Sequence, residues 1–483
     1  MRHASERPHR LAVRGPQGDL SYAGLAVRVG GAARRLSARG TGRGALVAIG
    51  LSDPVALLIA VLAADLVGAT PLVCDPTWER ERREQIMDVV PVDARVDDPS
   101  PATGGSSAEA GSPAAEGRPE PPVGSPAGNG ARWDRPVEPV GTDRAWACFS
   151  SGSTGRPRAV VRTRASWTES FPHLSALAGI GPDDVVLIPG PLSSSLYGFA
   201  AVHALATGAT AVVPGRRPSA ASLAGHLRGS TVVHLVPHRL PAVLETLRET
   251  GGRLRTAVVG GAALDADARA LAADAGVKVV SYYGATELSF VAVDADGSGL
   301  RPFPGVEIQV RTAPGQSLGE VWARSPWLAE GYLAGAAGPL RADGDGWMTV
   351  GDVAEPYLPG EVLRLRGRGD GAIQTGGATV VPEDVEEVLR RTPGVGDVVV
   401  VGSPHPELGA VVTAIVEIAG AEDAPPPSRA ELEATARGGL DAAQRPRRWY
   451  AVRNLPRTPA GKPARGLVAA RLAAGDPDIR RLV

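Results

Sequence analysis

Short apolar runs of strand character alternate with helical runs along most of the chain, and this alternation limits the fold more than any other feature of the sequence. It is clearest from Ala145 to about Gly360, where the runs of strand character include 184–189, 209–214, 231–237, 255–261 and 278–284. Helical runs separate them, as expected of mostly parallel sheets with helices on the faces. The sequence therefore predicts an α/β fold.

The length and the pattern together predict a large and a small domain. The 483 residues exceed what one hydrophobic core usually organises. A stretch rich in Pro, Gly, Ala, Ser and Glu interrupts the α/β pattern at 97–143. It cannot bury enough apolar area to offset its ordering entropy, so we expect a flexible surface insertion. The alternation to about Gly360 predicts a large N-terminal domain of mostly parallel sheets, and the pattern beyond Gly371 predicts a smaller α+β unit.

The charge balance and the cysteine count exclude several classes of protein. The formal net charge is −1, so the chain has no overall field to attract nucleic acid or an anionic membrane. Cys74 and Cys148 are the only cysteines, which excludes a disulfide scaffold and a cysteine-rich zinc site. The most apolar stretch, 55–73, contains Asp65 and Gly68 and fits a buried helix that leads into a strand better than a membrane span. We expect a soluble, cytoplasmic protein.

Lysine is almost absent from the sequence. Lys278 and Lys462 are the only lysines, and the other 49 basic residues are arginine. Because an ammonium differs from a guanidinium in shape and hydration, a lysine that persists against this bias is a candidate for a chemical role. The alternative is a residual surface lysine, and for Lys278 this is the interpretation we keep.

The strongest local signal is FSSGSTGRPRAVVRT, at 149–163. Four hydroxyl residues and two glycines follow one another directly after an apolar run: Ser150, Ser151, Gly152, Ser153, Thr154 and Gly155. Glycines let consecutive backbone N–H groups point into one concavity, hydroxyls add donors, and Arg156 and Arg158 add positive charge. The segment predicts a phosphate-binding loop, although it has no Walker pattern. A solvated Ser/Gly turn is the alternative.

A second cluster, SYYGATELS at 281–289, directly follows a run of strand character. Its two tyrosines offer aromatic faces for stacking a base. The Thr286 hydroxyl and the Glu287 carboxylate are candidates for phosphate and Mg²⁺ chemistry, since Mg²⁺ prefers hard oxygen ligands. Taken alone the cluster is weak evidence, because a tyrosine pair at the end of a strand usually belongs to a core.

Two more segments lie further along the chain. After Gly351, Asp352 and Arg368 are candidates for binding ribose hydroxyls, and the charged, glycine-rich run at 367–371 has the character of a hinge. The segment LPRTPAGKPAR, at 455–465, places Lys462 in a Pro/Gly loop near the C-terminus.

In this order and spacing the four segments resemble the adenylate-forming superfamily, which includes acyl-CoA synthetases, luciferases and the adenylation domains of nonribosomal peptide synthetases. LSYAGL at 20–25 and VGATPLVCDP at 67–76 are similar to its two N-terminal signatures, so the resemblance covers nearly the whole chain. It implies a two-domain ligase that joins a carboxylic acid to ATP with the help of Mg²⁺, releases pyrophosphate and transfers the acyl group to a thiol. Coenzyme A is the expected thiol, because QTGGATVVPEDVEE is most similar to the acyl-CoA synthetase version of that run. The phosphopantetheine of a carrier protein is the second candidate and an amine is the third.

The resemblance also implies roles for individual residues. The ATP phosphates are expected at Ser150, Ser151, Gly152, Ser153, Thr154, Gly155 and Arg158, and the adenosine at Gly260, Gly261, Ala262, Tyr283, Gly284, Asp352 and Arg368. Mg²⁺ is expected at Thr154 and Glu287, and the acid at Ser194, Ser195, Tyr197 and Gly284. Thr286, Glu287 and Lys462 are the expected catalytic residues, with Lys462 bridging the carboxylate and the phosphate. Asp370 is the expected hinge between a large N-terminal domain of stacked, mostly parallel sheets, 1–369, and a small, mobile α+β domain, 370–483.

Three departures from the family pattern bear on function. Arg158 stands where the phosphate loop usually has lysine, and Gln374 stands where lysine is common. Around Ser194, where many relatives carry an aromatic residue or histidine, the chain has only serines. Because 193–195 supplies no carboxylate for a substrate ammonium, we expect a non-amino acyl or aryl acid. A nucleotide-binding regulatory protein whose site has decayed at Arg158 and Gln374 is the alternative from another class.

Overall fold

The computed structural model describes residues 2–78, 80–98, 138–150, 158–215, 219–313, 318–336, 338–368, 371, 373–375, 378–406, 408–420, 425–440, 444–458 and 461–482. The predicted insertion lies mostly outside the described residues, as do most of the phosphate-loop segment and the proposed hinge Asp370.

The first of two large sheets confirms the predicted parallel strands. With strands numbered in chain order, its described members are β1 (Leu11–Gly15), β2 (Gly18–Ser21), β8 (Val185–Leu187), β9 (Thr210–Val212), β10 (Val232–Leu235), β11 (Thr256–Gly260), β12 (Lys278–Ala285), β13 (Ser289–Asp294) and β14 (Arg301–Pro302). Their spatial order is β14-β13-β12-β11-β10-β8-β9-β1-β2. Neighbours are parallel from β1 through β9, β8, β10 and β11 to β12, and antiparallel at both ends of the sheet.

The second large sheet is also parallel at its centre. Its described strands are β3 (Leu46–Gly50), β4 (Thr70–Val73), β5 (Ala94–Asp97), β6 (Arg144–Ser150), β7 (Arg158–Thr163) and β17 (Gly331–Tyr332), in the spatial order β17-β7-β6-β4-β3-β5. β6, β4, β3 and β5 are parallel neighbours, and β7 pairs antiparallel with β6.

Helices cover these sheets, and the largest core cluster draws residues from both of them. The described helices of this part are α1 (Arg2–Glu6), α2 (Tyr22–Ala38), α3 (Pro54–Leu66), α4 (Arg80–Val89), α5 (Arg164–Thr168), α6 (Phe171–Ala178), α7 (Ser195–Thr207), α8 (Ala220–Gly229), α9 (Leu240–Thr250) and α10 (Ala266–Asp274). α3 begins where Asp53 accepts a hydrogen bond from the Ala56 N–H and Pro54 occupies the first turn, a common start for a helix. Within the described ranges, no helix combines the length and apolar composition that a membrane crossing needs.

The predicted alternation of strands and helices to about Gly360 is wrong beyond β12. Where they are described, residues 289–368 form strands, turns and one 3₁₀ turn and no α-helix; β13 and β14 extend the first sheet, β17 joins the second, and the other strands form a third sheet. Its described strands are β15 (Glu307–Arg311), β16 (Gly319–Arg324), β18 (Arg341–Ala342), β19 (Met348–Thr349), β20 (Asp352–Ala354) and β21 (Leu365–Arg368), all paired antiparallel. Alternate residues of β16 are buried, as expected of an antiparallel strand that faces a core on one side only.

The C-terminal part forms a small α+β unit with its own hydrophobic core, as predicted. Its described strands are β22 (Ile373–Thr375), β23 (Ala378–Val380), β24 (Val395–His405), β25 (Gly409–Ile418), β26 (Arg448–Val452) and β27 (Arg480–Arg481), and its described helices are α11 (Pro382–Leu389), α12 (Arg429–Gly439) and α13 (Arg465–Ala473). The sheet order is β23-β22-β25-β26-β27, with β24 also paired to β25. The boundary at 369/370 remains a prediction.

Candidate active site

The candidate site lies at the carboxyl ends of the parallel strands in the first sheet. β11 ends at Gly260, which is opposite Tyr282 in the neighbouring strand β12. The GGA turn at 260–262 and the tyrosine pair therefore lie side by side. In open α/β sheets, ligands bind outside the carboxyl ends of the strands. The sheet thus brings two of the predicted segments to one place.

Tyr283 and Asp352, predicted to contact the adenosine, meet although they belong to different sheets. The Tyr283 hydroxyl donates a hydrogen bond to Oδ2 of Asp352 at 2.8 Å. Asp352 is largely buried and lies opposite Arg368 in the β20–β21 ladder. A buried carboxylate beside an aromatic side chain can accept hydrogen bonds from ribose hydroxyls while the base packs on the ring.

Glu287 is buried and oriented by a tyrosine that the sequence analysis missed. The Tyr332 hydroxyl donates to Oε1 of Glu287 at 2.9 Å, and the Ala329 N–H donates to the Glu287 carbonyl at 2.8 Å. Burial and the negative charge of Glu287 raise the pKa of Tyr332, while Arg158 acts in the opposite direction. No local signal marks Tyr332, because its role depends on the contact between β17 and a segment 45 residues away.

The donor chemistry at Glu287 fits Mg²⁺. Only 4% of Glu287 is exposed, and within the described part of the chain no arginine or lysine forms an ion pair with it. A buried carboxylate without a paired side-chain cation is a suitable hard-oxygen ligand for a bound divalent ion. Thr154, the other predicted ligand, lies outside the described residues.

Thr286, in the segment 281–289, lies next to a residue of the predicted acid pocket. Its Oγ1 lies 2.9 Å from Oγ of Ser195, the first residue of α7. Ser194 caps that helix through its backbone conformation and makes no side-chain capping hydrogen bond. Ser195, a predicted pocket residue at the start of α7, therefore lies beside Thr286.

Two tyrosine rings occupy the space behind this edge of the sheet. A Cβ built on Gly190 would lie 2.0 Å from Cε2 of Tyr197, and one on Gly260 would lie 2.2 Å from Cζ of Tyr282. Each ring therefore packs on a position that only glycine leaves open. Tyr282, whose ring the sequence offered for stacking a base, packs against Phe290 with ring centroids 4.6 Å apart. Burial raises the pKa of both tyrosines, so both hydroxyls stay protonated at neutral pH.

Lys462 reaches the same site from the small unit. The Thr458 N–H donates to the Lys462 carbonyl at 2.7 Å and the Gly461 N–H donates to the Thr458 carbonyl at 2.8 Å, which closes a tight turn. A Cβ built on Gly261 would lie 3.1 Å from Cε and 3.4 Å from Nζ of Lys462. The lysine side chain therefore lies against the GGA turn, whereas Lys278 is exposed at the start of β12.

The remaining predicted residues are placed in part. Ser150 ends β6 and is opposite Arg158 of β7, so the two ends of the phosphate-loop segment lie together. A Cβ on Gly284 would lie 2.1 Å from the Ser289 carbonyl oxygen, which explains the glycine, and Ala262 is exposed. Outside the described residues are Ser151, Gly152, Ser153, Thr154, Gly155 and Asp370.

The large α/β domain carries candidate nucleotide contacts at its sheet edge, and a lysine from a small α+β domain approaches them. This is the architecture of adenylate-forming enzymes. The chain belongs to the AMP-binding enzyme family. The model of that family matches residues 1–333, and the model of the AMP-binding enzyme C-terminal domain matches residues 384–462.

Similar proteins differ in the molecule that accepts the acyl group. The uncharacterized acyl-CoA ligase YhfT of Bacillus subtilis is 30% identical over 339 residues, which cover 66% of this chain and 67% of YhfT. MmaC of Mycobacterium marinum, a fatty acid–[acyl-carrier-protein] ligase, is 28% identical over 97% of this chain and 96% of its own length. The structure of the amide bond synthetase McbA from Marinactinospora thermotolerans superimposes with a TM-score of 0.74 at 26% identity, covering 98% of both chains. The family therefore fixes an AMP-forming ligase and leaves the acceptor open.

Proposed function

We propose that this chain activates a non-amino acyl or aryl acid with ATP and transfers the acyl group to a thiol, with coenzyme A as the first candidate. In the first half-reaction a carboxylate oxygen attacks the α-phosphorus, and pyrophosphate leaves. In the second a thiol attacks the acyl carbon, and AMP leaves. The observation that carries the proposal is the contact of Lys462 with Gly261, beside the edge that also bears Tyr283 and Glu287.

The proposed role of each residue follows from its position. Tyr283 and Asp352 would hold the adenosine, so that the α-phosphate faces the acid-binding end of α7. Lys462 would place its ammonium between the carboxylate oxygen and the α-phosphate as charge develops there, which is an electrostatic contribution to the transition state. Bound at Glu287 and Thr154, Mg²⁺ would supply charge neutralisation at the phosphates. Tyr332 would keep the Glu287 carboxylate in one orientation.

The acid pocket supports a substrate without an ammonium group. Ser193, Ser194 and Ser195 offer hydroxyls and no carboxylate. The neutral rings of Tyr197 and Tyr282 pack on Gly190 and Gly260 behind the sheet edge. An acid with an uncharged, compact or flat body would be compatible with that surface, since burying an unpaired ammonium there would be unfavourable.

The acceptor is proposed from the sequence and from the relatives. The run 374–387 is most similar to that of acyl-CoA synthetases, and YhfT carries the name of an acyl-CoA ligase. Loading of a carrier-protein phosphopantetheine is the second candidate, which the similarity to MmaC over nearly the whole chain favours. Amide formation is the third, favoured by the likeness to McbA.

ATP–pyrophosphate exchange with a panel of acids tests the proposal. We expect exchange with at least one acyl or aryl acid and none with free amino acids, followed by a thioester detected by mass spectrometry when coenzyme A is present. Exchange that is strongest with an amino acid would refute the substrate class. Binding of ATP without exchange for any acid would favour the decayed nucleotide-binding protein.

A further inference from the structure

A histidine of the large domain lies against the turn that carries Lys462. His238 belongs to the 3₁₀ turn Pro237–Arg239, which follows β10 at the carboxyl edge of the first sheet. A Cβ built on Gly461 would lie 2.8 Å from Cε1 and 3.0 Å from Nε2 of His238. The imidazole ring therefore rests on Gly461, where any side chain would collide with it. The 3₁₀ turn is fixed in turn by Arg239, whose Nη1 donates to the Pro189 carbonyl at 2.9 Å.

The opposite side of this contact is fixed by the small domain. Arg457 donates from Nη1 to Oδ2 of Asp397 at 3.0 Å and to the Gly461 carbonyl at 3.3 Å. The Lys462 N–H also lies 3.3 Å from Oγ1 of Thr458, within the turn. His238, on a hydrogen-bonded 3₁₀ turn, thus meets Gly461, which Arg457 holds from the small domain, and this contact bears on where Gly461 lies on the large domain.

We propose that His238 is a positioning residue, whose neutral ring seats Gly461 and so holds Lys462 against Gly261 during adenylation. The inference rests on the proposed function of Lys462. We call the arrangement seated when two contacts between the domains are made: the His238 ring packs on Gly461, and the Lys462 side chain packs on Gly261. We expect the thioester-forming half-reaction to follow a rotation of the small domain. In that half-reaction His238 would no longer contact Gly461 or position Lys462.

The charges around His238 make the seated arrangement dependent on pH. Arg239 of its own turn and Arg457 and Asp397 of the small domain act on the ring, and Lys462 follows its contact Gly461 in the chain. Desolvation first, and then Arg457 and Arg239, lower the pKa of His238, while Asp397 acts in the opposite direction. Arg239 acts on the ring in either arrangement, whereas Arg457 and the burial by the small domain act only when the turn is seated. Seating therefore lowers the pKa of His238 further, so the neutral ring favours seating and seating weakens as the pH falls below 6.5.

A double-mutant cycle between His238 and Gly461 tests the contact. We expect Gly461→Ala to slow pyrophosphate exchange at least about five-fold more in the wild-type background than in the His238→Ala background, because only the first retains the collision with the ring. The strain that alanine meets at the φ of +88° is common to both backgrounds and cancels. Thioester formation from supplied acyl-adenylate should show coupling below about two-fold.

Charge variants of His238 test the pH dependence. His238→Gln should remove the loss of exchange that the wild type shows below pH 6.5, and His238→Arg should exchange more slowly than His238→Gln at every pH. The matched control is His226→Gln in α8, where the histidine pKa is also lowered but the neighbouring charges are Arg14 and Asp19 of the large domain. We expect the control to keep the wild-type profile.

Failure of this inference and failure of the proposed function give different results. If the wild type exchanges pyrophosphate and Lys462→Ala does not, but His238 and Gly461 show no coupling, His238 is not a positioning residue. Equal coupling in both half-reactions would also refute the positioning role. So would a His238→Gln variant whose exchange rate still falls below pH 6.5 as in the wild type. If no acid supports exchange in the wild type, the proposed function fails and the role of His238 with it.

Discussion

Replacing Lys462 should separate the two half-reactions. Its Cε and Nζ lie against Gly261, where a built Cβ would come within 3.1 and 3.4 Å of them. Lys462→Ala removes the ammonium from this place and leaves the fold of the turn, which backbone hydrogen bonds close. If the ammonium acts as a donor to charge developing at the α-phosphate, its loss should raise the barrier by about 2.7–4 kcal/mol, so that pyrophosphate exchange falls by about two to three decades.

The second half-reaction supplies the contrast. Thioester formation from a supplied, pre-formed acyl-adenylate should be nearly unchanged in Lys462→Ala, because the expected rotation carries the turn away from the site. Lys462→Arg should not restore exchange, since a planar guanidinium is wider than an ammonium and the contact with Gly261 is close.

Lys278→Arg is the matched control. The Lys278 Nζ donates to the Leu177 carbonyl at 2.8 Å on an exposed strand end, where a guanidinium can donate equally well. Its rates should match those of the wild type. Equal slowing of both half-reactions in Lys462→Ala would refute the rotation, and full activity in Lys462→Arg would refute the role of the amine.

Three other predictions concern the surroundings of the site. Tyr332→Phe removes the hydroxyl that orients the candidate magnesium ligand, so the apparent magnesium constant of exchange should rise by about ten-fold; an unchanged constant would exclude that role. Burial lowers the pKa of His203 to about 4 and that of His234 to about 3, so below pH 6.5 the unfolded chain binds more protons than the folded one. The free energy of unfolding should therefore decrease as the pH is lowered from 6.5 to 4, by up to about 1.4 kcal/mol per pH unit for each ring. Urea unfolding at several pH values checks this, and His203→Phe should show a smaller slope. Gly190→Ala pushes a Cβ into the Tyr197 ring and should lower the free energy of unfolding by about 1–3 kcal/mol; an unchanged urea midpoint would contradict the packing.

The strands and helices of the large domain could be predicted as far as β12 because each has a periodicity of its own. The run 231–237 contains β10, and the run 255–261 contains β11. Beyond β12 the predicted alternation with helices failed. Several strands there, such as β18 and β19, have only two residues and are too short to show a period. β19 is a strand because it pairs with β16, and β18 because it pairs with β19, so both are defined by the sheet.

The sequence by itself determined which segments are candidates for the chemistry. We could recognise the Ser/Gly run at the end of β6, the tyrosine pair with Glu287, and the rare Lys462. Their conformational freedom and their functional groups follow from the residue types alone. The family resemblance ordered these segments into one enzyme, and the family models confirm that membership.

Only the tertiary structure decided which of these groups meet. Neighbouring side chains of a strand point to opposite faces, so Tyr282 packs on Phe290 while Tyr283 reaches Asp352, 69 residues further along the chain. Which face becomes the interior depends on what other elements pack there, and no local pattern contains that information. The same holds for Tyr332 at Glu287 and for His238 at Gly461: each is an ordinary residue in sequence, and its partner is supplied by the way distant elements close against each other.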